Sequence, residues 1–326
     1  KATFTIVANA GNPSTTTYKW QYRTSSSGAW ADCTTTQGTG MTTSSFTTVA
    51  TTMAMNGYQY RCIIGNAQYA SAATSNVATL TVYKLDITPE VSMTGYTYGG
   101  TMANPTISGN TGNGTVTYYY NTTNSNSNGT LWSTVISSTS LNVGTYYMYA
   151  VVSATTNYNG ATTSTVPFII TKRAITVKAN DASKEYDTLP LTNNTYTVTS
   201  GSVAQNQEMT VTIEGTITKV GSVPNTITNI IIKDESGNDV TTNYDITKVN
   251  GTLTITAAGS VDFDVTLDNE TFEYDGTEKE PGVTVKVGTA TLEKGKDYDV
   301  FYKDNKDAGT ATITITGKGN YEGSIT

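Results

Sequence analysis

Histidine is absent from the whole chain of 326 residues. That removes the commonest general base and the commonest metal ligand together. Neither a Ser-His-Asp nor a Cys-His site can be built from what remains. Cysteine is almost as scarce: Cys33 and Cys62 are the two in the sequence, and two in this length say little about redox compartment. Positive charge is short as well, with 19 Lys and Arg against 26 Asp and Glu and a net charge of −7. The shortage is uneven. Residues 1–172 hold six bases (Lys1, Lys19, Arg23, Arg61, Lys84, Lys172) and three acids (Asp32, Asp86, Glu90), so the remainder holds 13 and 23. Neither half offers the basic stripe that nucleic acid requires. No apolar run is long enough to span a bilayer, so no membrane insertion is expected within this segment. No stretch reads as a signal peptide, and the expectation is a mature piece or a fragment of a longer protein. No stretch shows helical periodicity with caps.

What is present is Thr, Ser, Asn, Gly and Tyr, with β-branched residues in alternation, as in Thr3-Phe4-Thr5-Ile6-Val7, Thr252-Leu253-Thr254-Ile255-Thr256 and Thr312-Ile313-Thr314-Ile315-Thr316. Period two marks strands that are apolar on one face and polar on the other, and the fold class is all-β. A longer period is superposed. Tyr98, Tyr186 and Tyr274 follow one another at steps of 88 residues. A second marker recurs downstream of each: Val143-Gly144-Thr145, Val220-Gly221-Ser222 and Ala308-Gly309-Thr310. A fixed period of this size means a string of similar domains. The windows are 1–83, 84–171, 172–258 and 259–326, each of a size for one small sandwich. Linkers of a few residues between them favour an elongated rod. A string without catalytic chemistry works by reaching or holding.

In the first window, Tyr18-Lys19-Trp20-Gln21-Tyr22 resembles the third strand of an immunoglobulin-type sandwich, with Trp20 as the core tryptophan. Asn56-Gly57-Tyr58-Gln59-Tyr60-Arg61-Cys62 resembles the entry to the sixth strand, and Tyr60 has the spacing to Cys62 of a tyrosine corner. One residue departs from that family. Its first Cys precedes the Trp, whereas Cys33 follows Trp20, so the usual inter-sheet bridge cannot form. A Cys33–Cys62 bridge, which would contribute about 3–4 kcal/mol, and two buried free thiols both stay open.

The first window is thus similar to immunoglobulin-like repeats of bacterial surface proteins. The second and third resemble the repeats called MBG or YDG domains, through the Tyr-Asp segment, the Gly marker and the Asn-Tyr pair before the last strand (Asn157-Tyr158, Asn243-Tyr244). The fourth is similar to repeats of clostridial-type surface proteins, through Glu280-Pro281-Gly282-Val283-Thr284-Val285, Gly295-Lys296-Asp297-Tyr298-Asp299-Val300 and Gly317-Lys318-Gly319-Asn320-Tyr321-Glu322-Gly323. The resemblance implies a bacterial cell surface, an extracellular adhesin or stalk, no cofactor and no catalytic residue. The partner it implies is a glycan or protein of a host or cell surface.

Four candidate sites follow from the residues. Tyr119, Tyr147, Tyr149 and Trp132 in the second window form a candidate ligand surface for a glycan or protein, which would make that window a carbohydrate-binding module; the alternative is cross-strand stabilisation. Asp234 and Asp239 flank a Gly-Asn turn and are a weak calcium candidate, since the loop lacks the spaced ligands of a dedicated site. The fourth window stops soon after Asn320-Tyr321, so its last strand is expected to be absent and an edge and core groove to stand open. Thr3, Phe4, Thr5 and Ile6 fit that place. Residues 1–6 are therefore either an early strand of the first window or a donor strand for the next chain in a head-to-tail fibre.

Overall fold

The computed structural model describes residues 1–8, 16–66, 69–135, 137–259 and 263–326. The chain is all-β: these residues form strands and short 3-10 turns, with no α-helix among them. Two compact units emerge, one of Lys1–Gly95, Ala103–Ile136 and Thr145–Ile169, the other of Tyr96–Met102, Ser137–Gly144 and Ile170–Thr326.

In the first unit, Thr16–Arg23 pairs antiparallel with Gln59–Asn66, which sets Trp20 opposite Cys62 and Tyr22 opposite Tyr60. Alternation decides the faces. Trp20 is 2% exposed, whereas Thr17 and Lys19 face solvent. A second sheet, in the order Thr3–Thr5, Ser45–Thr48, Gly38–Thr39, brings Phe46 to the same core of Trp20, Cys33, Tyr60, Cys62 and Leu80. Residues 3–5 are therefore an early strand of the first window in this chain, with Phe4 opposite Phe46 and stacked on Tyr60 at 4.6 Å.

One expectation about this window is corrected, and of two alternatives left open one is found. Tyr60 has the spacing of a tyrosine corner but forms none. Its ring is fully buried among Phe4, Tyr22 and Phe46, and its hydroxyl has no partner among the described residues. Burial pushes its phenol up to about 12. Cys33 and Cys62 form no bridge; both are free and buried. The Cys33 N–H donates to the Trp20 carbonyl at 2.9 Å, and the Cys62 thiol donates to the Ile63 carbonyl at 3.6 Å. Burial, then the charges of Asp32 and Cys62, push the Cys33 thiol up to about 12, so it stays protonated and packs as a small apolar group.

The first unit also holds most of the second window. Val116–Asn121 runs antiparallel to the long strand that ends at Val152, from Val116 opposite Val152 to Asn121 opposite Tyr147. Met148, Ala150, Val152 and Phe168 are among its buried residues.

In the second unit, Arg173–Ala179 is the middle strand of three, antiparallel to Tyr196–Gly201 and parallel to Tyr244–Val249. A four-stranded sheet runs in the order Ala182–Glu185, Gly251–Thr256, Gly221–Asp234, Gln207–Glu214. Its closing strand Gly251–Thr256 lies between two partners, antiparallel to 221–225 and parallel to Ala182–Glu185. Leu253 and Ile255 point inward from it and are 0% and 1% exposed. Each such side chain contributes about 1.5–3 kcal/mol by burial. The fourth window folds as two three-stranded sheets, Phe263–Leu267 with Val283–Val287 and Ala290–Thr291, and Tyr298–Lys303 with Thr312–Gly317 and Ser324–Ile325. Its core is Ala258, Phe263, Val285, Leu292, Tyr298, Ile315 and Tyr321. Gly221 and Gly309, one 88-residue step apart, have φ of 141° and 155°, a region that favours glycine. That is a backbone reason for the glycine in the second and third copies of that marker; Gly144, in the first, is not among the glycines with positive φ.

Candidate functional site

The repeating markers meet at the joints between windows. Each linker pairs as a short parallel bridge with the Asn-Tyr corner of the window it enters. In the first unit, the Leu85 N–H donates to the Asn157 carbonyl at 2.9 Å, and the Asn159 N–H returns to the Leu85 carbonyl at 2.8 Å. In the second unit, Arg173 lies opposite Tyr244 in the same sense. The bridge recurs at Ala258, whose N–H donates to Asn320 O at 3.0 Å and whose carbonyl accepts from the Glu322 N–H at 2.7 Å.

Side chains lock the two joints of the second unit. Tyr98 meets Tyr244 edge to face, with ring centroids 5.8 Å apart at 77°. Gln207 ties the pair, donating to the Tyr98 hydroxyl at 2.9 Å and accepting from the Tyr244 hydroxyl. The Asn243 carboxamide accepts from the Val143 N–H at 2.9 Å and donates to Asn142 Oδ1 at 2.9 Å. Arg173 closes the joint with bonds to Ser202 and to the Gly99 carbonyl. One repeat further on, Tyr186 meets Tyr321 at 5.3 Å and 89°, and Asn320 Oδ1 accepts from the Val220 N–H at 3.0 Å. Edge-to-face pairs of this kind add about 0.5–1.5 kcal/mol beyond the area they bury.

Burial is the main cause that raises both receiving phenols. Tyr244 is raised, with the Ala204 N–H and Arg173 partly opposing. Tyr321 is pushed up to about 12, with the neighbouring Tyr186 and Asp297 charges adding to burial. Both rings are neutral hydrogen-bonding groups over the ordinary pH range.

Among the described residues, the third tyrosine of the series has no such partner ring. Tyr274 is 68% exposed and Phe272, on the same segment, 46%. One step of 88 residues maps Ala182–Glu185 onto 270–273 and 221–225 onto 309–313. In the third window those two segments hold the closing strand between them. In the fourth they line an open groove of about 640 Å³ with Leu267, Tyr302 and Ile313 at its wall. Ser324–Ile325 does pair with Thr312–Gly317, setting Ile325 opposite Ile315, and the Thr326 hydroxyl lies 3.3 Å from that of Thr314. Beyond that point, among the described residues, no strand pairs with the outer edge of 309–313 or with 270–274.

The other candidates lie elsewhere. Trp132 and Tyr149 are not part of an exposed aromatic band, at 7% and 4% exposure. Trp132 packs edge-on against Tyr120 and Phe168. Tyr149 stacks on Tyr119 at 5.3 Å, and its hydroxyl accepts from the Gly129 N–H at 2.9 Å. The Asn/Ser loop that ends at Gly129 therefore reaches the face that alternation left open. Tyr119 and Tyr147 are half-buried. The Asp234 carboxylate is engaged in its own turn, accepting from the Ser236 and Asn238 N–H groups and the Asn238 side chain. Asp239 accepts from the Thr241 N–H. These bonds, led by Asn238 for Asp234 and by Thr241 for Asp239, hold both carboxyls below the usual range. Among the described residues, no three His, Cys, Asp or Glu side chains gather as a metal would need. No helix there is long and apolar enough to cross a membrane.

The sequence displayed both halves of each joint, the Tyr series and the Asn-Tyr series, without displaying that they meet. Gln207 carried no signal at all.

No family model matches the chain, and no curated protein matches it. Solved structures that align with it include Drosophila N-cadherin EC1-4, at 11% identity over 98% of this chain and 92% of that one, with a TM-score of 0.23. Protocadherin gammaB7 EC3-6 aligns at 11% identity over 96% and 92%, with a TM-score of 0.33. The four N-terminal Ig domains of Dscam1 isoform 4.44 align at 10% over 94% and 88%, with a TM-score of 0.16. Scores this low carry nothing over to this chain.

Proposed function

We propose that the chain is a non-catalytic, extracellular segment of a bacterial surface adhesin or stalk, whose task is to hold successive repeats in a fixed relation. One observation carries the reading. The residues that recur with the repeat are engaged in the joints: Tyr98 and Val143 with the Asn243-Tyr244 corner, Tyr186 and Val220 with Asn320-Tyr321. In a ligand-binding array, recurring side chains would converge on a cleft instead. The resemblance to bacterial surface repeats supports the setting, and the absence of histidine supports a role without acid-base chemistry.

Backbone 15N relaxation on the full chain tests this. Windows 172–258 and 259–326 should tumble with one correlation time, and Tyr186→Ala should let them separate. Independent tumbling in the unmodified chain sinks the reading.

A further inference from the structure

We infer that the outward sheet face of the first window is a binding site for the carboxylate groups of an acidic polysaccharide, with Arg23 and Arg61 as the residues that hold them. The site lies away from the joints, and the inference stands whether or not the chain is a stalk.

The chain has three arginines, and two of them meet here. Register puts them on one face. Gln21 lies opposite Asp32 on one side and opposite Arg61 on the other, and Arg23 lies opposite Gln59. Trp20, Tyr60 and Cys62 take the core side of the same strands, so alternation turns this set outward. The half-buried Trp30 joins the pair: the guanidinium carbon of Arg23 lies 4.6 Å from its ring centre and that of Arg61 4.2 Å. Stacking of this kind orients a guanidinium plane and leaves its N–H edge open to an acceptor. Neutral amides complete the positioning. Gln59 Oε1 accepts from Arg23 Nε at 2.8 Å, and Gln21 Oε1 accepts from Arg61 Nε at 3.0 Å and Nη2 at 2.8 Å.

The charge on this face is not answered from within. Residues 1–83 hold four bases (Lys1, Lys19, Arg23, Arg61), and Asp32 is their one acid. Asp32 is already engaged: Lys19 Nζ lies 2.7 Å from its Oδ2, and Gln21 Nε2 donates to its Oδ1 at 2.8 Å. Among the described residues, neither guanidinium has a carboxylate partner. Two cations gathered on one ring repel each other. An entering carboxylate relieves that repulsion and accepts charge-assisted N–H bonds from the pair.

The rest of the face selects the kind of partner. A protein partner is anchored by apolar and aromatic contact at the centre of its interface. Here the centre is the arginine pair, and its one aromatic ring is taken up by the two guanidinium groups. Around them stand Lys19, Gln21, Gln59 and Thr79, with Ile63 half-buried opposite Lys19. Amides and a hydroxyl beside fixed cations match the hydroxyls and carboxylates of a sugar-acid polymer.

The probe is an oligogalacturonate titrated into the full chain, with the side-chain N–H resonances of Arg23, Arg61 and Trp30 followed by NMR. All three should shift saturably, while the Trp20 indole N–H, bonded to the Thr43 carbonyl at 3.0 Å, stays in place and reports an intact core. The methyl-esterified oligomer, which has the same sugars without the charge, should not bind. Arg23→Gln and Arg61→Gln should each weaken binding about tenfold, and so should Arg61→Lys, which keeps the charge and loses the planar fork. Lys172→Gln removes one charge outside this window and should change affinity less than about twofold. The Trp20 resonance checks the fold of each variant. No saturable shift, equal binding of the ester, or equal weakening by Lys172→Gln overturns the inference. Tighter binding of poly-glutamate than of oligogalacturonate also overturns it, in favour of an acidic protein partner.

Discussion

The third and fourth windows share a period and differ in closure. In the third, Leu253 and Ile255 fill the sandwich and Tyr186 is covered by Tyr321. In the fourth, the equivalent space is a groove and the equivalent tyrosine, Tyr274, faces outward. A side chain's contribution here is set by what the neighbouring repeat brings to it, not by its position in the repeat.

Substitution in the closing strand should separate the two windows most. Leu253→Asp places an unpaired charge at a fully buried position and should cost about 4–6 kcal/mol. Ile325→Asp, on the short strand of the fourth window, should cost under about 1 kcal/mol. Denaturant unfolding of the two variants measures the difference; equal losses would erase the distinction between closed and open windows. The joint ring comes next. Tyr244→Ala removes a buried ring and takes the Tyr244 hydroxyl away from the Ala204 N–H and from the Gln207 side-chain oxygen, at about 3–4 kcal/mol. Tyr274→Ala should be close to neutral by the same measurement. The smallest effect is in alkali. With its pKa at about 12, folded Tyr321 keeps a proton that the unfolded chain releases near 10. Its contribution is therefore whole below pH 10 and is lost as pH rises toward 12. A melting temperature that falls over that interval, and falls less in Tyr321→Phe, is the expected outcome. The slope persists in part, because the Tyr60 phenol is raised in the same way.

Much of this was legible in the residues. Alternation gave the strands, so Leu253 and Ile255 were readable as one apolar face, and the immunoglobulin resemblance gave Trp20 as core. The 88-residue step gave the repeat and placed the groove. Three things were not legible for a common reason. Alternation says which side chains share a face but not what covers it. The Asn/Ser loop over Tyr149 turned an expected ligand surface into packing. The aromatic cluster around Tyr60 drew its ring inward, away from the strand-edge bond that its spacing suggested. The joints lie between residues about a hundred positions apart, as Val143 to Asn243 and Val220 to Asn320, and no local pattern reports on such pairs.

Strand direction has a mechanical consequence. Arg173–Ala179 runs parallel to Tyr244–Val249 through six register pairs, and Ala182–Glu185 runs parallel to Gly251–Thr256. Tension applied where the chain enters and leaves this window drags such neighbours past each other lengthwise. Their rungs are then loaded together in shear, whereas a hairpin pulled at its open end unzips one rung at a time. The window is built to resist until a whole ladder gives way at once.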